Sequence, residues 1–152
     1  MASSAWRPAI YKSGQLTELP RPVTRCEFQD EWDHRASKVP LKDGIETTGI
    51  SYNGIRVTVA GQCGLDAGTK TITEETMFAK LQDMRAKVNI DSDSQKYEFF
   101  VYHKVGGPYR KLKRCIPQGF GMSFGDDDFV IFTYTLEVLA EDPSIYTTAP
   151  GV

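Results

Sequence analysis

The stretch that most limits how this chain can fold runs from Val130 to Val138. Val130, Phe132, Tyr134, Leu136 and Val138 take every second position, with Ile131, Thr133, Thr135, Glu137 and Leu139 in register between and after them. A period of two sends alternate side chains to opposite faces of a β-strand, so one face is continuously apolar and the other mixed. Such a strand belongs inside a sheet with one face on a core. Ahead of it, Gly119, Gly121 and Gly125 with Asp126, Asp127 and Asp128 read as a glycine-rich turn. Beyond it, Glu141-Asp142-Pro143 ends the pairing, because proline lacks the amide donor that a ladder needs.

The rest of the chain supplies partners for that strand. Cys26, Phe28 and Trp32 alternate with Glu27, Gln29 and Glu31, which predicts a one-faced strand. Asn53-Gly54, between Ile50–Tyr52 and Ile55–Val59, is a favoured pair for a two-residue turn, and a hairpin is expected there. At Met77 the period changes to 3.6. Met77, Phe78, Leu81, Met84 and Val88 form one stripe and predict the single confident helix, with Thr71 or Thr73 as its cap and Glu74 and Glu75 at its positive end. Tyr97–Val105 and Pro108–Ile116 flank Gly106-Gly107 and predict a second hairpin. With the glycines as the turn, Phe99 faces Arg114, Val101 faces Leu112, His103 faces Arg110, Phe100 faces Lys113 and Tyr102 faces Lys111. Its polar tip makes it the element expected to stand away from the core; as an ordinary edge hairpin, its Lys and Arg residues would guard against aggregation. Residues 1–23, with Pro8, Pro20 and Pro22, read as an extended N-terminal arm anchored by Trp6 and Tyr11. Residues 24–146 read as one domain and 147–152 as a C-terminal tail. The fold class is therefore α+β, mainly β.

Composition narrows the function. A chain of 152 residues, 40% apolar, is long enough for one sizeable core. A net charge of −2 argues against general binding to a phosphate backbone. Cys26, Cys63 and Cys115 are odd in number and lack a Cys-x-x-Cys pair, which predicts free, buried thiols and no zinc site. No apolar run nears the roughly 20 residues of a membrane span, and the first residues lack a signal-peptide pattern, so no membrane insertion is expected. Asp126, Asp127 and Asp128 alternate sides and cannot converge on one cation. Asp91–Ser94 starts like a calcium loop but places Lys96 where that loop needs Gly. His34 and His103 sit in no metal or nucleophile pattern, and the glycine-rich pieces lack phosphate-loop context. No catalytic, cofactor-binding or metal residue is nominated, and the chain reads as non-enzymatic.

What remains is charge. Arg110, Lys111, Lys113 and Arg114 crowd one strand, with Arg110 and Arg114 on one face and Lys111 and Lys113 on the other. They are the candidate inter-subunit contacts, with Asp126, Asp127 and Asp128 of a neighbouring copy as partners.

Leu136 to Ala140 followed by Glu141-Asp142-Pro143-Ser144-Ile145-Tyr146 resembles the close of the ring-forming N-terminal domain of siphophage distal tail proteins and their minor-tail relatives. The order of strand, Asp43-Gly44 loop, strand Arg56–Gly61, threonine-started helix with Leu81, hairpin and final strand is similar to that whole domain, from Cys26 to Tyr146. The resemblance implies a tail-tube or distal-tail-like β-sandwich with one flanking α-helix and a protruding β-hairpin. It implies a structural virion protein of the tail tip, assembled in the host cytoplasm. Its partners would be further copies in a hexameric ring, the tail-tube protein and the baseplate hub, with DNA passing through the channel of a phage or gene transfer agent. The galectin-like second domain of many relatives is not expected, since Val152 ends the chain. Two other readings are a tail-tube or tube-terminator subunit, and a carbohydrate-binding β-sandwich with Tyr102, Tyr109 or Trp32 as its platform.

Overall fold

The computed structural model describes residues 6–20, 23–38, 40–41, 43–63, 65–66, 69–70, 73–103, 108–124 and 132–151. In chain order its elements are β1 (Trp6–Lys12), β2 (Gln15–Glu18), β3 (Val23–Ser37), β4 (Glu46–Cys63), β5 (Leu65–Asp66), β6 (Thr69–Lys70), α1 (Glu74–Val88), β7 (Tyr97–His103), β8 (Tyr109–Phe124) and β9 (Phe132–Ala140), with a short 3₁₀ turn at Asp93–Gln95. Seven strands form one antiparallel sheet in the order β2-β1-β7-β8-β9-β4-β3, and β5 pairs with β6.

β9 behaves as its alternation demands. Phe132, Tyr134, Leu136, Val138 and Ala140 are buried, whereas the residues between them keep solvent contact. Flanked by β8 and β4, it places these side chains beside Leu112 and Cys115 of β8 and Ile55, Val57 and Val59 of β4 in one core cluster. Phe99 of β7 and Ile10 of β1 extend the cluster. The ring of Phe28 in edge strand β3 lies 6.3 Å from that of Phe99. The sheet thus folds over until its two halves face one another, and the result is a β-sandwich with one flanking helix.

α1 lays Met77, Leu81, Met84 and Val88 on the core, and Phe78 stays partly exposed at the edge of the stripe. Burying such a side chain contributes about 1.5–3 kcal/mol. Thr73 is the cap, its hydroxyl accepting from the Thr76 amide at 3.3 Å. At the other end the Lys12 ammonium donates to the carbonyls of Lys87 (3.1 Å) and Asn89 (2.6 Å), which ties the negative end of the helix to β1.

Five expectations are corrected by long-range pairing. Asn53-Gly54 is no turn: β4 continues through it with a bulge at Asn53, because β3 is long enough to pair from Val23 to Ser37. Gly119 and Gly121 lie within β8, which continues to Phe124 along β9; Gly125, Asp126, Asp127 and Asp128 lie outside the described residues. The β7–β8 register is displaced by two, with Phe99 opposite Leu112, Phe100 opposite Lys111, Val101 opposite Arg110 and Tyr102 opposite Tyr109. A shift of two keeps the side chains from Tyr109 to Leu112 on their faces. This hairpin is also flanked by β1 and β9, so it cannot stand away from the core; Gly106-Gly107 lie outside the described residues. The element that does project is β3–β4. Beyond Glu31 and Gly54 these strands pair only with each other, from Trp32 opposite Tyr52 to Ser37 opposite Glu46, a ribbon about 20 Å long at the usual rise per residue. Finally, Trp6–Glu18 is not an arm. It forms a hairpin whose first strand pairs with β7 from Trp6 to Tyr11 and buries Pro8, Ala9 and Ile10.

Candidate assembly surfaces

β8 carries the four basic residues, and the structure gives them four different situations. Its strict alternation breaks at Arg114, whose φ is 57°, a bulge that lets both Leu112 and Cys115 face inward. Arg114 is exposed and binds Glu141, its Nε at 3.2 Å from Oε2. The same carboxylate receives the Lys96 ammonium at 2.8 and 2.9 Å. That bond chiefly holds the Glu141 carboxyl below its ordinary value and raises Lys96. Lys113 places its ammonium 4.4 Å from the Tyr146 ring centre.

Lys111 is fully buried, contrary to the expectation of a surface contact. Its ammonium donates to the Ala149 carbonyl at 3.1 Å, stands 3.6 Å from Glu98 and lies over the Phe100 ring. Its backbone pairs with Tyr146 in both directions, at 2.8 and 2.9 Å. β9 has ended at Ala140 by then, so the segment after Pro143 takes its place along β8. The Asp142 carboxylate shapes the crossing: it accepts from the Ser144 amide (3.0 Å) and from the Tyr146 hydroxyl (2.6 Å). The Tyr146 bond chiefly lowers the Asp142 pKa and raises that of Tyr146. Asp-Pro-Ser signals such a turn in sequence; nothing local signals that it would cover a lysine.

Arg110 is exposed like Arg114, but among the described residues its guanidinium has no carboxylate partner. It borders an open groove of about 450 Å³ with Trp6, Pro8, Cys26, Phe28 and Val101. Asp126, Asp127 and Asp128 lie outside the described residues. Cys26 keeps solvent contact, unlike the expected buried thiol, while Cys63 and Cys115 are buried and all three are free. Burial pushes the Cys115 thiol up to about 12, the reverse of what a thiolate nucleophile needs.

The exposed aromatics pair with neighbouring rings. On the ribbon, Trp32 is 56% exposed with its ring centre 4.1 Å from that of Tyr52. Phe78 and Phe124 are partly exposed, and both rings contact Phe132. Tyr102 and Tyr109 form a half-buried cross-strand pair, and the Tyr102 hydroxyl donates to Glu18 at 3.2 Å. Of the three aromatics named for a stacking platform, Trp32 thus pairs with Tyr52, and Tyr102 and Tyr109 pair with each other.

No family model matches this sequence, and no curated protein does. Solved structures are similar to it in fold. The SPP1 Dit (gp 19.1) protein, described as a paradigm of the hub adsorption apparatus in phages infecting Gram-positive hosts, superposes with a TM-score of 0.61 at 14% identity. The match covers 93% of this chain and 52% of that one, so this chain spans about half of that protein. A chain of the sheath–tube complex of the PVC extracellular contractile injection system gives 0.54 at 10% identity, covering 97% and 92%. A chain of the tube-terminating cap of the anti-feeding prophage gives 0.53 at 10% identity, covering 97% and 91%. The fold is thus the mostly-β, one-helix architecture found in the Dit hub protein and in chains of an injection-system sheath–tube complex and a tube-terminating cap.

Proposed function

We propose that this chain is a non-enzymatic structural subunit of a phage-type tail or tail-like particle, and that its copies close into a ring around an axial channel. The observation that carries the reading is the β3–β4 ribbon. About 20 Å of paired strand projects from the sandwich with the Trp32–Tyr52 pair at its root, in a fold shared with tail-hub and tube chains. A two-stranded ribbon without a core of its own is marginal in water, so contact with another surface is its expected stabiliser. A cyclic head-to-tail arrangement supplies that contact to every copy and stops when the rotation closes. In this reading the ring is sixfold, sits at the distal end of the tail of a virion or gene transfer agent, and joins the tube to the tip baseplate with DNA in the channel. Arg110 serves as a rim contact, with Asp126, Asp127 and Asp128 as its partners on the next copy.

A tube or tube-terminator subunit is the second reading. It is supported by the likeness in fold to a chain of an injection-system sheath–tube complex and to a chain of a tube-terminating cap. Light scattering across a wide concentration range, with negative-stain images of the product, tests both. Closed rings of one size support the hub reading, and stacked filaments move the chain to the tube. A chain that stays monomeric throughout overturns both. Arg110→Glu should weaken assembly at low salt and leave the monomer folded; unchanged assembly removes Arg110 from the interface.

A further inference from the structure

The segment Glu141–Gly151 covers buried groups without being buried itself. None of its residues is classed as buried, and Pro143, Ser144, Ile145, Thr147, Thr148 and Ala149 are exposed. Beneath it lies Lys111 with no exposed surface, its ammonium on the Ala149 carbonyl; Gly151 sits against the Tyr11 hydroxyl. A lysine is a costly choice for such a place, because an apolar residue of similar size would avoid removing an ammonium from water. The cost is recovered only when the cover lifts, since a hydrated ammonium then keeps the opened face soluble. A segment that buries few of its own apolar groups is also the part of a fold that opens most readily.

We propose that this strap is exchanged between copies, leaving Lys111 of its own chain and occupying the same position on a second copy. Two observations and the symmetry of identical copies point to that occupant. First, the docking position is a β8 edge that β9 has vacated, so it accepts an extended segment through the Lys111 amide and carbonyl. Second, Asp142 holds Ser144 and Tyr146 by bonds internal to the strap, which keeps its bound shape when it leaves. Third, an identical copy offers an identical strap and receptor, so exchange trades each contact for its equivalent. The inference rests on the strap alone and holds whatever particle the chain belongs to.

The test uses full-length chains in a Cys26→Ser background. One chain carries Lys111→Cys and the other Tyr146→Cys. Residues facing each other across a doubly hydrogen-bonded antiparallel pair have Cα atoms about 5.5 Å apart, within disulfide range. Oxidising the mixture should give a disulfide-linked dimer containing one copy of each, while a chain with both substitutions closes internally when dilute. The unsubstituted chain provides a second measurement. A fluorescent peptide of residues 142–152 should bind it saturably, and the same peptide with Tyr146→Pro, which lacks the amide that reaches Lys111, should bind at least tenfold more weakly. Internal closure of the double variant, with no mixed dimer and no peptide uptake, overturns the proposal.

Discussion

Gly54 gives the sharpest test of how the sheet is built. Its φ is 134°, a region L side chains rarely enter, and a methyl placed on it would overlap the Ala140 carbonyl oxygen and lie 3.4 Å from the carbonyl carbon. Both atoms are backbone and cannot rotate aside. Next to it, Ile55 opposite Ala140 is the last pair between β4 and β9, so relief of the overlap must pry open that end of the ladder. Holding an unsuitable backbone conformation costs about 1–3 kcal/mol, and each main-chain hydrogen bond lost adds about 1 kcal/mol. Gly54→Ala should therefore destabilise the chain by about 3 kcal/mol, which for this length lowers the melting temperature by about 6–12 °C. Gly121→Ala is the control. That glycine sits in β8 at an ordinary φ with nothing within 4 Å of the added methyl, and the change should be neutral or stabilising by a few tenths of a kcal/mol through the unfolded chain. Thermal melts followed by circular dichroism separate the two. Gly54→Asn extends the test, because asparagine suits a two-residue hairpin turn but not this crossing. If Gly54→Asn melts with the parent, Gly54 occupies a turn and the continuous β4 is wrong.

Leu81 is fully buried against the sheet while Lys80 is exposed one position away. Leu81→Asp should abolish soluble folded protein, since an unpaired buried charge costs several kcal/mol, whereas Lys80→Asp should leave yield and melting nearly unchanged. Equal loss in both would mean the helix face is misassigned. Acid stability tests the Glu141 cluster. Its carboxyl is depressed in the folded chain by Lys96 first, so the stability it contributes is present above the unfolded value near 4.3 and is lost as pH falls through the folded value. Glu141→Gln should flatten that acid-side decline in urea titrations at low salt; an unaltered slope would place the acid-sensitive group elsewhere.

The sequence carried the elements and concealed their pairing. β9 and α1 were legible because each has a single strong period, and a buried face follows directly from it. The extended nature of residues 97–103 and 109–116 was legible for the same reason. The Asn53-Gly54 reading failed because that dipeptide is favourable in a turn but does not compel one. The fifteen residues of β3 supply enough partner backbone to hold β4 extended through it, and the close approach of Ala140 gives the glycine another use. The N-terminal residues misled in a similar way. Pro8 removes a donor, yet β1 tolerates it, and the burial of Ala9 and Ile10 comes from neighbours about ninety residues distant.

Lys111 marks where local reading of the assembly surfaces ends. Alternation fixed the face it points to, and the β7–β8 slip of two preserved that face. Whether the face meets water or protein depends on a segment some thirty-five residues later, through one bridge to Tyr146 and one carbonyl at Ala149. A run of four basic residues therefore divides by context. Lys111 is taken up under the strap, Lys113 lies over its tyrosine, Arg114 is engaged by Glu141, and Arg110 alone stands at an open groove. Reversing all four charges at once would confound loss of the strap with loss of an interface. Arg110 is the only position in the run where a charge reversal reads intermolecular contact without first disturbing the fold.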